Sequence, residues 1–246
     1  MKAVIIHHRL DLLIRLLDTT TGYEVRERDV HFYEDDKEVF PLYRGEGMYA
    51  FINFERIDRK FKVKAYGYEE IMVSISYENM DSAVPIQEIF LIPLEDIAKG
   101  EPMISFTGKL SGISHLEAVS LESSHCSINS FDERKRIMKL FKTRQTNMES
   151  LYYGLIHREK QTYERFEVEK ELPDSRLKIK EPLSEEFSVN SPIARIIFGM
   201  VKEDGSYCIR VRDNREYLIY LLRYVVEGEV KFRVLDFRKP ENTILE

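Results

Sequence analysis

Apolar and polar positions alternate along most of this chain, and the period is two. Leu10, Leu12, Ile14 and Leu16 interleave with Asp11, Leu13, Arg15 and Leu17, which predicts a strand. Asp18-Thr-Thr-Thr-Gly22 then punctuates the chain as a turn. Val30 and Phe32 alternate with His31 and Tyr33 and run into the turn signal Asp35-Asp36. Glu38 to Tyr43 is a short run whose Pro41 suits an edge strand. Gly45-Glu46-Gly47 leads into Met48–Asn53. Phe61, Val63 and Ala65 alternate with Lys60, Lys62 and Lys64, which leaves one face solvated. Ile71, Val73, Ile75 and Tyr77 alternate with Met72, Ser74 and Ser76. Short strands at this spacing are the mark of a sandwich or Greek-key barrel.

Pro93-Leu-Glu-Asp-Ile-Ala-Lys-Gly100 reads as one helical turn closed by a glycine, and Pro102 follows. A linker is therefore placed at 93–103, between a domain at 1–92 and a second at 104–246. The second part is again strand-rich, with runs at Ile104–Lys109 and Leu116–Leu121. Ser130-Phe-Asp-Glu133 matches a capping box, and Ile137, Met138, Leu140 and Phe141 follow at helical spacing. That predicts one helix, at about 131–143. Leu155–Lys160 and Thr162–Glu171 suggest a hairpin, and Arg176–Lys180 another strand. Ile193–Lys202 and Ser206–Arg212 flank Asp204-Gly205, and Tyr217–Val226 and Val230–Phe237 flank Glu227-Gly228. Both dipeptides are hairpin signals, because such turns need positive φ. Tyr217–Val226 is apolar almost throughout, so that strand is expected to be covered on both faces. The expected fold class is mainly β: an N-terminal β-sandwich, then a second antiparallel β domain, barrel or sandwich, with one short helix.

The first third also carries a family pattern. It has Asp18-x-x-x-Gly22 after a strand, then Phe32, Pro41, Gly47-x-Tyr49-x-Phe51 and Lys62-Val-x-Ala65-x-Gly67-Tyr68. Together these residues resemble the carboxypeptidase-regulatory-like, or transthyretin-like, β-sandwich domain. Its members read D-x-x-T-G-x-x-V, G-x-Y-x-F and V-x-A-x-G-Y. The resemblance covers residues 10–80 and rests on turn and core positions. Tyr23-Glu24 stands before Val25 where members often carry a short x-P step. The resemblance implies a non-enzymatic module used for folding, docking or recognition. Similar domains also occur in proteins linked to phage-tail-like contractile injection particles. Residues 104–246 resemble no family.

Composition narrows the function classes. Apolar residues make up 43% and charged residues 33%, a globular rather than disordered balance. The net charge of −6 argues against a general binder of nucleic acid or anionic membrane. Only Cys126 and Cys208 are present, so a disulfide-dense secreted scaffold is excluded. The N-terminal apolar run Ala3–Ile6 is interrupted by His7, His8 and Arg9 and is too short for a signal peptide. No segment approaches a membrane span. The expected location is the cytoplasm, or a particle assembled there.

Each candidate for chemistry meets a plainer reading. His7-His8 lacks the His-Glu-x-x-His spacing of a zinc peptidase and reads as polar strand-end residues. His115, His125 and Cys126 form the only His/Cys cluster, but no Cys-x-x-Cys completes a structural zinc site, and Cys208 joins only through the tertiary fold. Thr107-Gly-Lys-Leu110 lacks the upstream glycine and the following Ser or Thr of a phosphate loop, so Gly108-Lys109 reads as a turn. Ser111-Gly112 is no nucleophile elbow. Glu34-Asp35-Asp36 lacks the EF-hand order and reads as a hairpin tip. Arg134, Lys135, Arg136, Lys139, Lys142 and Arg144 crowd one segment, which reads as a solvated face or a surface for an acidic protein. Tyr49, Tyr66, Tyr68, Tyr152, Tyr153 and Tyr163 are candidate interface anchors, against the plainer reading of strand packing.

No catalytic, metal or cofactor residues are therefore assigned. The first expectation is a structural or adaptor protein with protein-subunit partners, in a phage-tail-like or contractile assembly. It expects no nucleic acid, membrane or small-molecule partner. The second is a saccharide- or surface-recognition module, weakened by the absence of Trp. The third is an enzyme whose site is assembled from distant residues, with His115, His125 or Cys126 beside a carboxylate.

Overall fold

The structure is a computed structural model. It describes residues 9–25, 29–78, 80, 85–94, 103–124, 126–142, 148, 150–184, 187–212 and 218–238. The chain divides into one unit of Met1–Asp18 with Glu24–Ile97 and another of Thr19–Tyr23 with Ala98–Glu246. Among the described residues every regular element is a strand.

The first unit holds β1 (Leu10–Asp18), β2 (Val30–Glu34), β3 (Lys37–Val39), β4 (Leu42–Gly45), β5 (Met48–Ile52), β6 (Arg59–Ala65), β7 (Ile71–Ile75) and β8 (Ile86–Leu91). One sheet runs β4-β5-β1-β8 and the other β3-β2-β6-β7. All pairs are antiparallel except β1 with β8, which is parallel. The alternation buries one face of each sheet against the other. Leu12, Ile14, Leu16 and Phe51 pack with Phe32, Phe61, Val63 and Ile75 in one core. Phe32 from one sheet lies 5.1 Å from Tyr49 and 5.6 Å from Phe51 of the other, ring to ring. The run from Glu38 to Tyr43 is two edge strands rather than one. Phe40-Pro41 carries the chain from β3 at the edge of one sheet to β4 at the edge of the other.

The second unit holds β9 (Met103–Lys109), β10 (Ile113–Ser120), β11 (Cys126–Asp132), β12 (Ile137–Lys142), β13 (Tyr152–His157), β14 (Thr162–Leu172), β15 (Arg176–Ile179), β16 (Pro192–Val201), β17 (Ser206–Arg212), β18 (Ile219–Val226) and β19 (Glu229–Asp236). All its ladders are antiparallel. β11, β12, β15, β14, β13 and β16 pair in a closed ring, because β16 returns to β11 through Ile193 and Cys126. Ile128, Met138, Leu155, Phe166, Leu177 and Ile193 fill it. β16 then continues beyond the ring. Its Ile196–Phe198 pair with β10 and its Gly199–Val201 with β17. That builds an open sheet, β9-β17-β16-β10-β18-β19, over a second core of Phe106, Leu116, Ile209 and Leu222. Thr19 belongs to this unit and accepts the Phe198 backbone N–H at 2.8 Å.

The helix expected at 131–143 is a β-hairpin. Asp132 Oδ1 accepts the Lys135 N–H at 3.1 Å, a local side-chain bond that makes a turn where a capping box was read. Arg136 turns through positive φ. The four apolar residues beyond it fit period 3.6 on paper, but only the alternate pair Met138 and Leu140 is buried, and Phe141 faces outward. Core burial in the ring decides the period. The expected turn at Gly108-Lys109 is also strand: both lie in β9, where Tyr207 covers Gly108 from the facing strand. Glu227-Gly228 does make a two-residue hairpin turn with both residues at positive φ. The helical turn read at Pro93–Gly100 falls largely in 95–102, outside the described residues.

Candidate functional site

β10 builds the most polar interior of the second unit. Its Leu116 and Ala118 point into the open sheet's core, so Glu117 points the other way. The ladders place Glu117 opposite Arg223 on β18 and Phe198 on β16. β14 covers that face. Its Phe166 and Val168 point into the ring, which turns Tyr163 and Arg165 outward onto β10. Tyr163 meets Phe232 edge to face at 5.6 Å. Glu117 thus sits where the wall of the ring lies on the back of the open sheet.

The Glu117 side chain is fully buried and takes four contacts. Oε1 accepts the Tyr163 hydroxyl at 3.1 Å and Arg223 Nη1 at 3.2 Å. Oε2 meets His115 Nε2 at 2.8 Å and Arg165 Nη1 at 3.4 Å. Burial pushes the Glu117 carboxyl up, but the hydrogen bond and charge of His115, with the two guanidiniums, overcome it and hold the carboxyl below its ordinary range. Burial, then the neighbouring carboxylate, drives the Tyr163 phenol well above its usual value. The chemistry follows. All four lone-pair directions of Glu117 are taken, so it is a fixed anion rather than a base. Tyr163 stays protonated as a donor. The guanidiniums keep further N–H groups.

Two sequence candidates meet in this cluster, His115 and, as a buried donor rather than a surface anchor, Tyr163. Cys126 is not with them: the thiol is buried in the ring core, 4.0 Å from Met148 Sδ. Cys208 lies on β17, opposite Met200. His7, His8, His125 and Arg144 fall outside the described residues. Glu34 and Asp36 flank a hairpin tip, paired with Arg59 and Lys62, both at 2.6 Å. Lys109 pairs with Asp204 at 3.1 Å. Of the six tyrosines, Tyr49, Tyr152, Tyr153 and Tyr163 are buried, Tyr68 is half-buried, and Tyr66 is exposed. No group of three or more His, Cys, Asp or Glu among the described residues is arranged to hold a metal ion. No helix among them is long and apolar enough to cross a membrane.

Sequence reasoning missed the exposed apolar residues. Phe40 is 82% exposed, and Leu42 and Tyr43 on β4 are exposed too. Tyr43 also packs against Tyr49, the rings tilted at 47° with centroids 5.2 Å apart, which fixes its ring on the edge. The available signal was Pro41, an edge residue between large apolar neighbours. No family model matches the chain, and no curated protein matches it.

Proposed function

We propose that the protein is a non-enzymatic adaptor or structural subunit that binds other proteins along the β4 edge of its first unit. The run Phe40-Pro41-Leu42-Tyr43 carries this reading. Among the described residues β4 pairs with β5 alone, so its outer N–H and C=O groups face no strand. Such an edge is a template for an added strand. Main-chain bonds then supply affinity and the exposed side chains supply selectivity. Aromatic anchors of this kind are favoured at interfaces. The transthyretin-like pattern in residues 10–80 supports the reading, since that family's modules serve docking and recognition. The setting proposed is a multi-subunit particle of the phage-tail-like, contractile class.

The test is size-exclusion chromatography with light scattering, using the full chain beside the products of neighbouring genes. One of them should co-elute with it, and a Phe40→Asp/Leu42→Lys double variant should lose that complex while keeping its own elution volume. A chain that stays a monomer beside all of them overturns the proposal.

A further inference from the structure

We infer that the rim of the Glu117 cluster is a binding subsite for a small oxyanion of the phosphate or carboxylate class, held by Arg165 and Arg223. Acceptors and donors in this cluster do not balance. Glu117 is saturated by its four contacts. Each guanidinium has five N–H donors and turns only its Nη1 to Glu117. Charge does not balance either: two guanidiniums share one carboxylate, and the phenol beside them is neutral. Among the described residues neither arginine pairs with a second carboxylate. Glu167, two positions along β14, is paired with Lys180.

The guanidiniums are also reachable and fixed. The side chains of Arg165 and Arg223 are 29% and 24% exposed, while the carboxylate behind them is sealed. The Arg165 guanidinium lies 4.2 Å over the Tyr152 ring and 5.3 Å from that of Phe198. Arg223 is set by the ladder directly across from Glu117. Glu117 therefore acts as a buttress. It orders two forked donors before any ligand arrives, which removes part of the ordering cost of binding. Planar forks of this kind match the paired oxygens of phosphate and carboxylate. The subsite is independent of the β4 edge.

Thermal unfolding of the full chain in inorganic phosphate, in acetate and in chloride at matched ionic strength tests the assignment. Phosphate or acetate should raise the midpoint saturably above the chloride control, and whichever acts identifies the class. Arg165→Lys and Arg223→Lys keep a charge beside Glu117 but lose the fork, and each should weaken the apparent affinity roughly tenfold. Should a lysine variant fail to fold, arginine Nε–Hε NMR signals of the wild-type chain decide: those of Arg165 and Arg223 should move together on adding the anion. No saturable rise above chloride, a rise kept in full by both lysine variants, or movement confined to other arginines overturns the inference.

Discussion

Among the described residues each unit buries one carboxylate on a strand, and the two are held in different ways. Asp11 on β1 accepts the Phe54 N–H at 2.9 Å and Arg56 Nε at 3.0 Å, and it pairs with Arg9. Its contacts join the start of β1 to the segment just after β5, the strand beside it. Arg9 is largely exposed, so one of its cations leads straight to water. Glu117 on β10 gathers partners from β14 and β18, across two layers that meet only by tertiary folding. The chemistry is alike, but one carboxylate clasps a local joint and the other bridges the ring to the open sheet. A buried ion pair is weak evidence of net stability, yet removing one side of it is costly. The difference between the two sites therefore shows best when each anion is taken away.

Glu117→Ala has the largest expected effect. It leaves two guanidiniums and a tyrosine hydroxyl facing an emptied site, at a loss of about 3–5 kcal/mol in urea unfolding. Adding Tyr163→Phe should then cost less than it does alone, because the hydroxyl has already lost its acceptor. Asp11→Asn keeps an acceptor for the Phe54 N–H and loses only the charge, with cations that reach solvent; about 1–3 kcal/mol is expected. A larger loss at Asp11 than at Glu117 would break the comparison. Acid sharpens it. Both carboxyls sit below their ordinary values: at Asp11 burial acts upward, and the Phe54 N–H, Arg56 and Arg9 overcome it. A folded-state value below the unfolded one contributes stability above the unfolded value, about pH 4, and loses it as pH falls further. Glu117→Ala should flatten this acid limb more than Asp11→Asn.

Gly154 probes the bridge from its other side. A Cβ there would lie 2.8 Å from Val119 Cγ1 on β10 and 2.8 Å from Tyr163 Cδ2. The ring wall approaches the open sheet closely because β13 has no side chain at that point. Gly154→Ala should force the layers apart and cost about 1–3 kcal/mol, read as a fall in unfolding midpoint. A neutral result would mean that the layers give way easily and that Glu117 does not hold a tight joint.

The sequence made the first unit's strands legible because its alternation is long and its turns are marked. Phe61, Val63 and Ala65 are buried where the pattern put them. Asp11 sits at a polar step of that same pattern, yet it is sealed, since alternation names a face and not what covers it. The segment after Glu133 misled because Ile137, Met138, Leu140 and Phe141 satisfy two periods, and only the ring core chooses between them. His115 was visible as a candidate, but its carboxylate was two residues away on a strand, where glutamate ordinarily faces water. Arg165 and Arg223 lie 48 and 106 residues from Glu117, and no local spacing rule spans such gaps. The ring closure was equally hidden, because β16 pairs with four different strands along its length.

His31 sets the smallest effect, and its sign is opposite. On β2 its Nδ1 lies 2.5 Å from Glu38 Oε1 and its Nε2 lies 2.8 Å from Asp29 Oδ1. Glu38 first and Asp29 second raise its value above the ordinary one, against a smaller effect of burial. A raised folded-state value gives stability that is complete below the unfolded value, about 6.5, and is lost as pH rises through the folded one. The side chain is 43% exposed, so solvent and salt screen the interaction. NMR titration of the His31 ring should show a midpoint above 6.5 that falls toward it in high salt. His31→Gln should reduce the loss of stability on going from slightly acid to slightly alkaline pH and leave the acid limb untouched. Glu117→Ala should keep most of its effect in the same salt, because the carboxylate itself is sealed from the solution. If salt cancels both alike, the buried bridge is no more protected than a surface pair.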